Sequence, residues 1–303
     1  MNDAPLVSII MNCYNCDRFL QEAIDSVYAQ TYKNWEIIFW NNHSTDKSAK
    51  IAGSYNDKLK YYFAESNTPL GEARNLALAK ARGKYIAFLD CDDIYLPKKL
   101  ESQIDQMEKS EYALSYGSAI IIDEKGKKIR NQIVKNKSGM IFSELLSHYE
   151  INMQSVILSR DVLIKENLKF DEKFKYCPDY NLFMKIAAHH PVGVIDGFLV
   201  KYRLVSNSLS KQTVDIAAYE IRETLDKIFK SEPKLKVKYA KSTKSAYEKL
   251  HYYEAIAAIQ RKDRISARKE LYPVIFSRWQ YLILYLLLVI PVPNGLIQRL
   301  LRR

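Results

Sequence analysis

Cysteine is scarce. The 303 residues hold four, Cys13, Cys16, Cys91 and Cys177, and they do not make the framework of a disulfide-stapled secreted scaffold. Cys13 and Cys16 have C-x-x-C spacing, but no second pair follows to complete a zinc site. The four read as reduced thiols of a cytosolic protein. Met1-Asn2-Asp3-Ala4-Pro5 lacks the basic and apolar regions of a secretory signal. A helix that crosses a bilayer needs about 20 apolar residues; the run from Tyr281 to Val292 falls short and is interrupted by Pro291. The first strand is not followed by G-x-G-x-x-G, which disfavours a dinucleotide fold. There is no array of repeats and no recognisable nucleic-acid motif.

What remains is a globular composition, 48% hydrophobic and 27% charged, enough for one large domain or a medium one with an appendage. The net charge of +11 is unevenly placed. Residues 211–303 carry 19 Lys and Arg against 9 Asp and Glu, which leaves +10 of the charge there. With nucleic acid set aside, an anionic membrane surface is the partner that such charge suits. The run Tyr281 to Val292 is flanked by Arg278 and by Arg299, Arg302 and Arg303, and carries Trp279, Tyr281 and Tyr285. It reads either as an interfacial segment held to anionic lipid or as a buried core helix.

The first hundred residues alternate between strand and helix patterns. Leu6 to Met11, Trp35 to Trp40, Lys60 to Phe63 and Tyr85 to Leu89 are apolar runs that suit buried parallel strands. Leu20, Ala23, Ile24 and Val27 share a helical face. Ser44 or Thr45 is placed to cap the next helix, and a further helix runs from Gly71 to Arg82 and stops at Gly83. Such a succession builds a parallel sheet with helices on both faces, whose ligands bind at the carboxyl ends of the strands. Polar clusters at 12–15, 41–46 and 90–93 fall at those ends. Beyond residue 112 the pattern changes to a hairpin near Ala119 to Ile129, shorter strands and a helix after Asp179, and beyond Lys211 it reads helical.

The apolar run ending at Leu89 closes on Asp90-Cys91-Asp92-Asp93. Carboxylates so close together repel and are costly to desolvate. A hard divalent cation with substrate phosphates would satisfy them; an acidic loop capping the helix near Pro97 would leave them solvated.

Taken together, Val7-Ser8-Ile9-Ile10 with Tyr14-Asn15, Ala29-Gln30-Thr31-Tyr32, Ser44-Thr45-Asp46, Gly71-Glu72-Ala73-Arg74-Asn75 and Asp90-Cys91-Asp92-Asp93 resemble glycosyltransferase family 2 in order and approximate spacing. The resemblance covers residues 6 to about 110 well and residues 150–210 more loosely. It implies an α/β GT-A fold, a mostly parallel Rossmann-like sheet with a smaller acceptor-side β region, followed here by a helical C-terminal region. The domains expected are a catalytic one over residues 1–210 and a basic helical one over 211–303. The activity implied is inverting, metal-dependent transfer of a hexose from a nucleotide-sugar donor, a UDP-sugar above all, with Mg2+ or Mn2+.

By position, the resemblance puts Tyr14 against the nucleotide base, Asn42 at the base edge, Arg74 beside the diphosphate, Asp90 at the ribose or the metal, and Asp92 on the metal. Asp179 matches the catalytic base, although Pro178 stands where relatives have Glu. Tyr202 to Ser210 resembles a family segment in which Val205 replaces a His of the metal shell. The acceptor implied is a glycan or lipid-linked sugar in bacterial surface polysaccharide synthesis, and the place is the cytoplasm or the inner membrane face. Two other readings stay open: a D-x-D phosphatase using Asp90, and a degenerate, non-catalytic nucleotide-sugar-binding protein.

Overall fold

The computed structural model describes residues 4–205 and 214–290. The chain divides into two compact units. One joins Met1–Phe142 to Tyr149–Ser206, and the other joins Ser143–His148 to Asn207–Arg303.

In the first unit, β1 (Val7–Cys13), α1 (Asp17–Tyr28), β2 (Trp35–Asn41), α2 (Ser48–Ala52), β3 (Leu59–Phe63), α3 (Leu70–Leu78) and β4 (Tyr85–Phe88) follow in turn. The four strands are parallel in the order β3-β2-β1-β4. Parallel strands between helix layers are buried on both faces, and β2 and β4 are buried at every residue. The stripe Leu20, Ala23, Ile24 and Val27 seals α1 onto the core.

The chain continues through β5 (Ile94–Tyr95), α4 (Lys99–Lys109), β6 (Leu114–Ile122), β7 (Lys128–Gln132), α5 (Phe142–Ser147), β8 (Ile157–Ser159), α6 (Arg160–Lys165), α7 (Pro178–His189) and β9 (Val192–Arg203). β8 pairs antiparallel with β4 and with β6, and β9 lies parallel to β6. The later strands therefore extend the same sheet, so that nine strands among the described residues form one mixed sheet.

Two local expectations shift. The sequence places a helix over Gly71 to Arg82, but α3 ends at Leu78. The backbone N–H groups of Arg82 and Gly83 donate instead to the buried Ser8 hydroxyl, at 3.2 and 2.8 Å, while Ser8 donates to Glu36 at 2.6 Å. Gly83 is therefore not a helix cap. It is a point of close approach, because a Cβ there would lie 2.6 Å from the Ser8 nitrogen and 2.7 Å from the Leu6 carbonyl oxygen. Gly83→Ala should cost about 1–3 kcal/mol of stability, read as a lower urea midpoint at unchanged slope. An unchanged midpoint would refute the close approach. The second shift concerns α2. Asp46, not Ser44 or Thr45, accepts the Ser48 N–H at 2.9 Å. Ser44 and Thr45 instead tie to Asn15, whose N–H donates to the Ser44 hydroxyl at 3.0 Å and whose side-chain oxygen accepts the Thr45 N–H at 2.8 Å.

The second unit is helical: α8 (Val214–Ser231), α9 (Pro233–Lys238), α10 (Ala240–Gln260), α11 (Arg264–Leu271) and α12 (Trp279–Val289). Ala255, Ala258 and Ile259 of α10 meet Ala267 and Leu271 of α11 and Tyr281, Leu284 and Leu288 of α12. The Arg264 guanidinium donates to the Leu287 and Leu288 carbonyl oxygens at 2.8 and 3.2 Å, satisfying groups that the end of α12 leaves unpaired. The opposite face of this segment exposes Phe276, Trp279, Ile283, Leu286, Val289 and Ile290. The buried-core reading of this run thus describes one face of α12, and the other face is apolar and exposed. Pro291, Val292, Arg299, Arg302 and Arg303 lie outside the described residues. No helix among the described residues is long and apolar enough to cross a membrane.

Candidate active site

The polar loops that follow β1, β2 and β4 meet at the carboxyl ends of the strands, where open parallel sheets hold their ligands. Tyr14 leads the first loop and is 52% exposed. Its neighbour Asn15 turns in the left-handed region, with φ of 53°, and ties to the second loop through Ser44 and Thr45. The ring of Tyr14 therefore stands open to a planar partner on an anchored loop.

Asn42 is buried beneath the same surface, and its amide is already engaged. Its Nδ2 donates to the Thr68 carbonyl oxygen at 2.8 Å, and its Oδ1 accepts the Thr68 N–H and hydroxyl at 3.2 and 3.1 Å. Both lone pairs of Oδ1 are used. Contact with a base edge through this oxygen would require Thr68 to let go, so in this arrangement Asn42 fixes the segment before α3.

Arg74 of α3 is buried, with its side chain 7% exposed, and its Nη2 stands 3.6 Å from the Asp90 carboxylate. Its guanidinium lies over the Phe170 ring, 5.5 Å from the centroid. Asp90 is further held by Gln154, whose Nε2 donates to the carboxylate and whose Oε1 accepts the Asp90 N–H. Asp179 occupies the first turn of α7 behind Pro178, a favoured residue at a helix start. Burial raises its pKa. The Arg74 guanidinium and the backbone N–H groups of Asp179 and Tyr180 oppose that rise, and the Asp90 charge adds to it. Arg74 thus acts electrostatically on both carboxylates, Asp90 and Asp179.

Asp92 is half-buried, and its pKa is pushed up to about 6, first by burial and then by the charge of Asp90. Asp93 is buried and accepts the Arg203 N–H at 2.7 Å, so it braces the loop. Burial and its two neighbouring carboxylates raise its pKa. The pair Asp90 and Asp92 fits a hard cation: two partly open carboxylates on one turn, one of them strained by the charge of the other.

Several supporting residues escape a reading by spacing. Arg203 closes the Asp loop from β9, donating to the Asp92 carbonyl oxygen at 2.8 Å and pairing with Glu22 at 2.6 Å. Asn75 clamps the chain before α7, exchanging hydrogen bonds with both backbone groups of Phe170 at 3.0 Å. Gly71 lets that same segment approach, since a Cβ there would lie 2.9 Å from the Asp171 carbonyl oxygen. The motif around Arg74 is thus partly a structural clamp, legible only once residues 170–172 are seen beside it. His189 ends α7, and the adjoining His190 bonds Glu166, away from the Asp loop. Ser206 to Ser210, the remainder of the segment around Val205, lie outside the described residues.

Residues 8–165 match the model of Glycosyl transferase family 2. An uncharacterized glycosyltransferase of Rickettsia typhi is 34% identical over 227 residues, 73% of this chain and 69% of that one. The UDP-Glc:alpha-D-GlcNAc-diphosphoundecaprenol beta-1,3-glucosyltransferase WfgD of Escherichia coli is 35% identical over 214 residues, 69% of this chain and 81% of that one. Across the rickettsial relatives the aligned stretch spans from 32% to 70% of their length. In structure, TarS of S. aureus in complex with UDP-GlcNAc superimposes with a TM-score of 0.60 at 17% identity, over 87% of this chain and 88% of that one, which marks the fold as GT-A-like. With its match running from β1 past the Asp loop and through α6, this chain belongs to glycosyltransferase family 2.

Proposed function

We propose that the protein is an inverting transferase that moves a hexose from a UDP-sugar to a lipid-linked glycan in bacterial surface polysaccharide synthesis. The observation that carries this reading is the buried Arg74 acting on both Asp90, on the donor side, and Asp179, at the start of α7. The diphosphate of a nucleotide-sugar suits the Arg74 guanidinium, and the nucleobase suits the open ring of Tyr14. The name of WfgD, a glucosyltransferase acting on a diphosphoundecaprenol-linked sugar, supports the donor and acceptor classes.

Asp179 takes the proton from the acceptor hydroxyl, and that oxygen attacks the anomeric carbon from the face opposite the leaving UDP. The raised pKa of Asp179 makes it a better base than a solvated carboxylate. Arg74 holds the departing diphosphate. Asp92 and Asp90 would hold Mg2+ or Mn2+, which supplies charge neutralisation at the leaving group. Screening UDP-, dTDP- and GDP-sugars for hydrolysis and for transfer to diphosphoundecaprenol-linked sugars tests the reading. Phosphate release without sugar transfer would overturn it, and so would donor binding without any turnover.

The exposed apolar face of α12 and the basic charge of its unit support peripheral attachment to an anionic leaflet, close to such an acceptor. Each large apolar side chain removed from water contributes roughly 1.5–3 kcal/mol when fully buried. Phe276→Ser with Trp279→Ser should therefore lower co-sedimentation with anionic vesicles at least about tenfold. Surface variants are the right probe. Truncation after Tyr272 would strip α12 from the core it forms with α10 and α11. Equal binding of the double variant, or no binding by the full chain at low salt, would end the membrane reading.

A further inference from the structure

Three of the four thiols, the C-x-x-C pair and a third distant in sequence, meet in space. The Sγ atoms of Cys13, Cys16 and Cys91 all lie within 4.8 Å of one another. Cys13 ends β1, Cys16 immediately precedes α1, and Cys91 stands in the Asp loop after β4. The pairing of β1 with β4 places those two strand ends side by side, so the third thiol comes from a position 75 residues along the chain from Cys16. Cys13 and Cys91 are buried, whereas Cys16 is partly open, which leaves one way in. Along the Asp loop the burial alternates: Cys91 faces the interior, while Asp90 and Asp92 keep open surface.

We propose that Cys13, Cys16 and Cys91 form a binding site for a thiophilic divalent cation, Zn2+, separate from the hard-cation pair Asp90 and Asp92. Soft thiolates select zinc over magnesium or manganese. A tetrahedral ion with Zn–S of about 2.3 Å needs its sulfurs about 3.8 Å apart, so the three Sγ atoms reach it by moving an ångström or less. The Ser44 hydroxyl, 3.8 Å from the Cys13 sulfur, or a water completes the fourth position. Binding exchanges thiol protons for the ion and releases them to solvent. An ion here would tie the loop that carries Asp90 and Asp92 to the ends of β1 and α1.

The test is a titration of the reduced, chelator-treated full chain with Co2+ and then Zn2+. Co2+ reports its own ligands, because thiolate ligation produces a sulfur-to-cobalt charge-transfer band that oxygen ligation at Asp90 and Asp92 does not. The expected result is a band saturating at one ion per chain and bleached by one equivalent of Zn2+. Cys91→Ser and Cys16→Ser should each lose most of its intensity, and Cys177→Ser should keep it. Cys16 is partly open, so its serine variant carries the test even if the buried Cys91 variant folds poorly. No saturable band in the reduced protein would overturn the site. So would equal bands in Cys16→Ser and wild type, or a pair of these cysteines that closes to a disulfide and leaves the reduced form without affinity for the ion.

Discussion

Asp179→Asn should bind UDP as the wild type does and lose transfer by about 10²–10⁴-fold, the usual worth of a general base. The substitution keeps the size of the side chain and its place behind Pro178, and an amide oxygen can still accept the N–H groups at the start of α7. What it loses is the ability to take a proton. Calorimetry with UDP and a transfer assay separate these roles. The wild-type rate should fall at acid pH, because a base must be deprotonated to act. Burial raises the Asp179 pKa, so the fall should begin above the ordinary carboxylate range and be absent from the residual activity of Asp179→Asn. Near-normal turnover in the variant would remove Asp179 as the base. Arg74→Leu should behave differently. It strips the cation from both Asp90 and Asp179, so donor affinity and rate should fall together.

The other large effect concerns Asp92→Ala, which should abolish the coupling between Mn2+ and UDP. Mg2+ and Mn2+ prefer octahedral oxygen shells that water and a diphosphate can complete. The family resemblance sets Val205 in place of a His of the metal shell, and on that reading the ion should bind weakly to the protein alone and tightly once UDP is present. Linkage makes this reciprocal: the ion raises UDP affinity by the factor by which UDP raises that of the ion. Asp90 alone cannot stand in for the pair, because it shares its carboxylate with Gln154 and Arg74 and offers the ion only part of it. The pH dependence has a fixed sign. The Asp92 pKa of about 6 lies above the ordinary value, and a protonated carboxyl does not ligate. Mn2+ affinity should therefore decline as pH falls through about 6, with UDP absent. Mn2+ titration of both proteins with and without UDP checks this, and equal affinities throughout would place the ion elsewhere.

Much of this protein is written in local pattern. Continuous apolar runs ending in polar clusters mark β1, β2 and β4 and the loops above them, since burial on both faces dictates composition residue by residue. The stripe of α1 and the position of Asp179 at the start of α7 are local too. Tertiary structure decided what depends on residues far apart in the chain. Ser8 and Glu36 end α3 early by taking N–H groups that a longer helix would have used. Thr68 occupies the amide of Asn42, which the family resemblance assigns to a base edge. Asn75 and Gly71 clamp a segment some 95 residues away, and Arg203 braces the Asp loop from the last strand of the sheet. The three thiols are the plainest case. A C-x-x-C without a second pair shows no ligand set in the sequence, because the partner arrives only when β4 lies down beside β1. Covalent order fixes periodicity; the pairing of distant segments fixes where a helix stops and which side chains share a site.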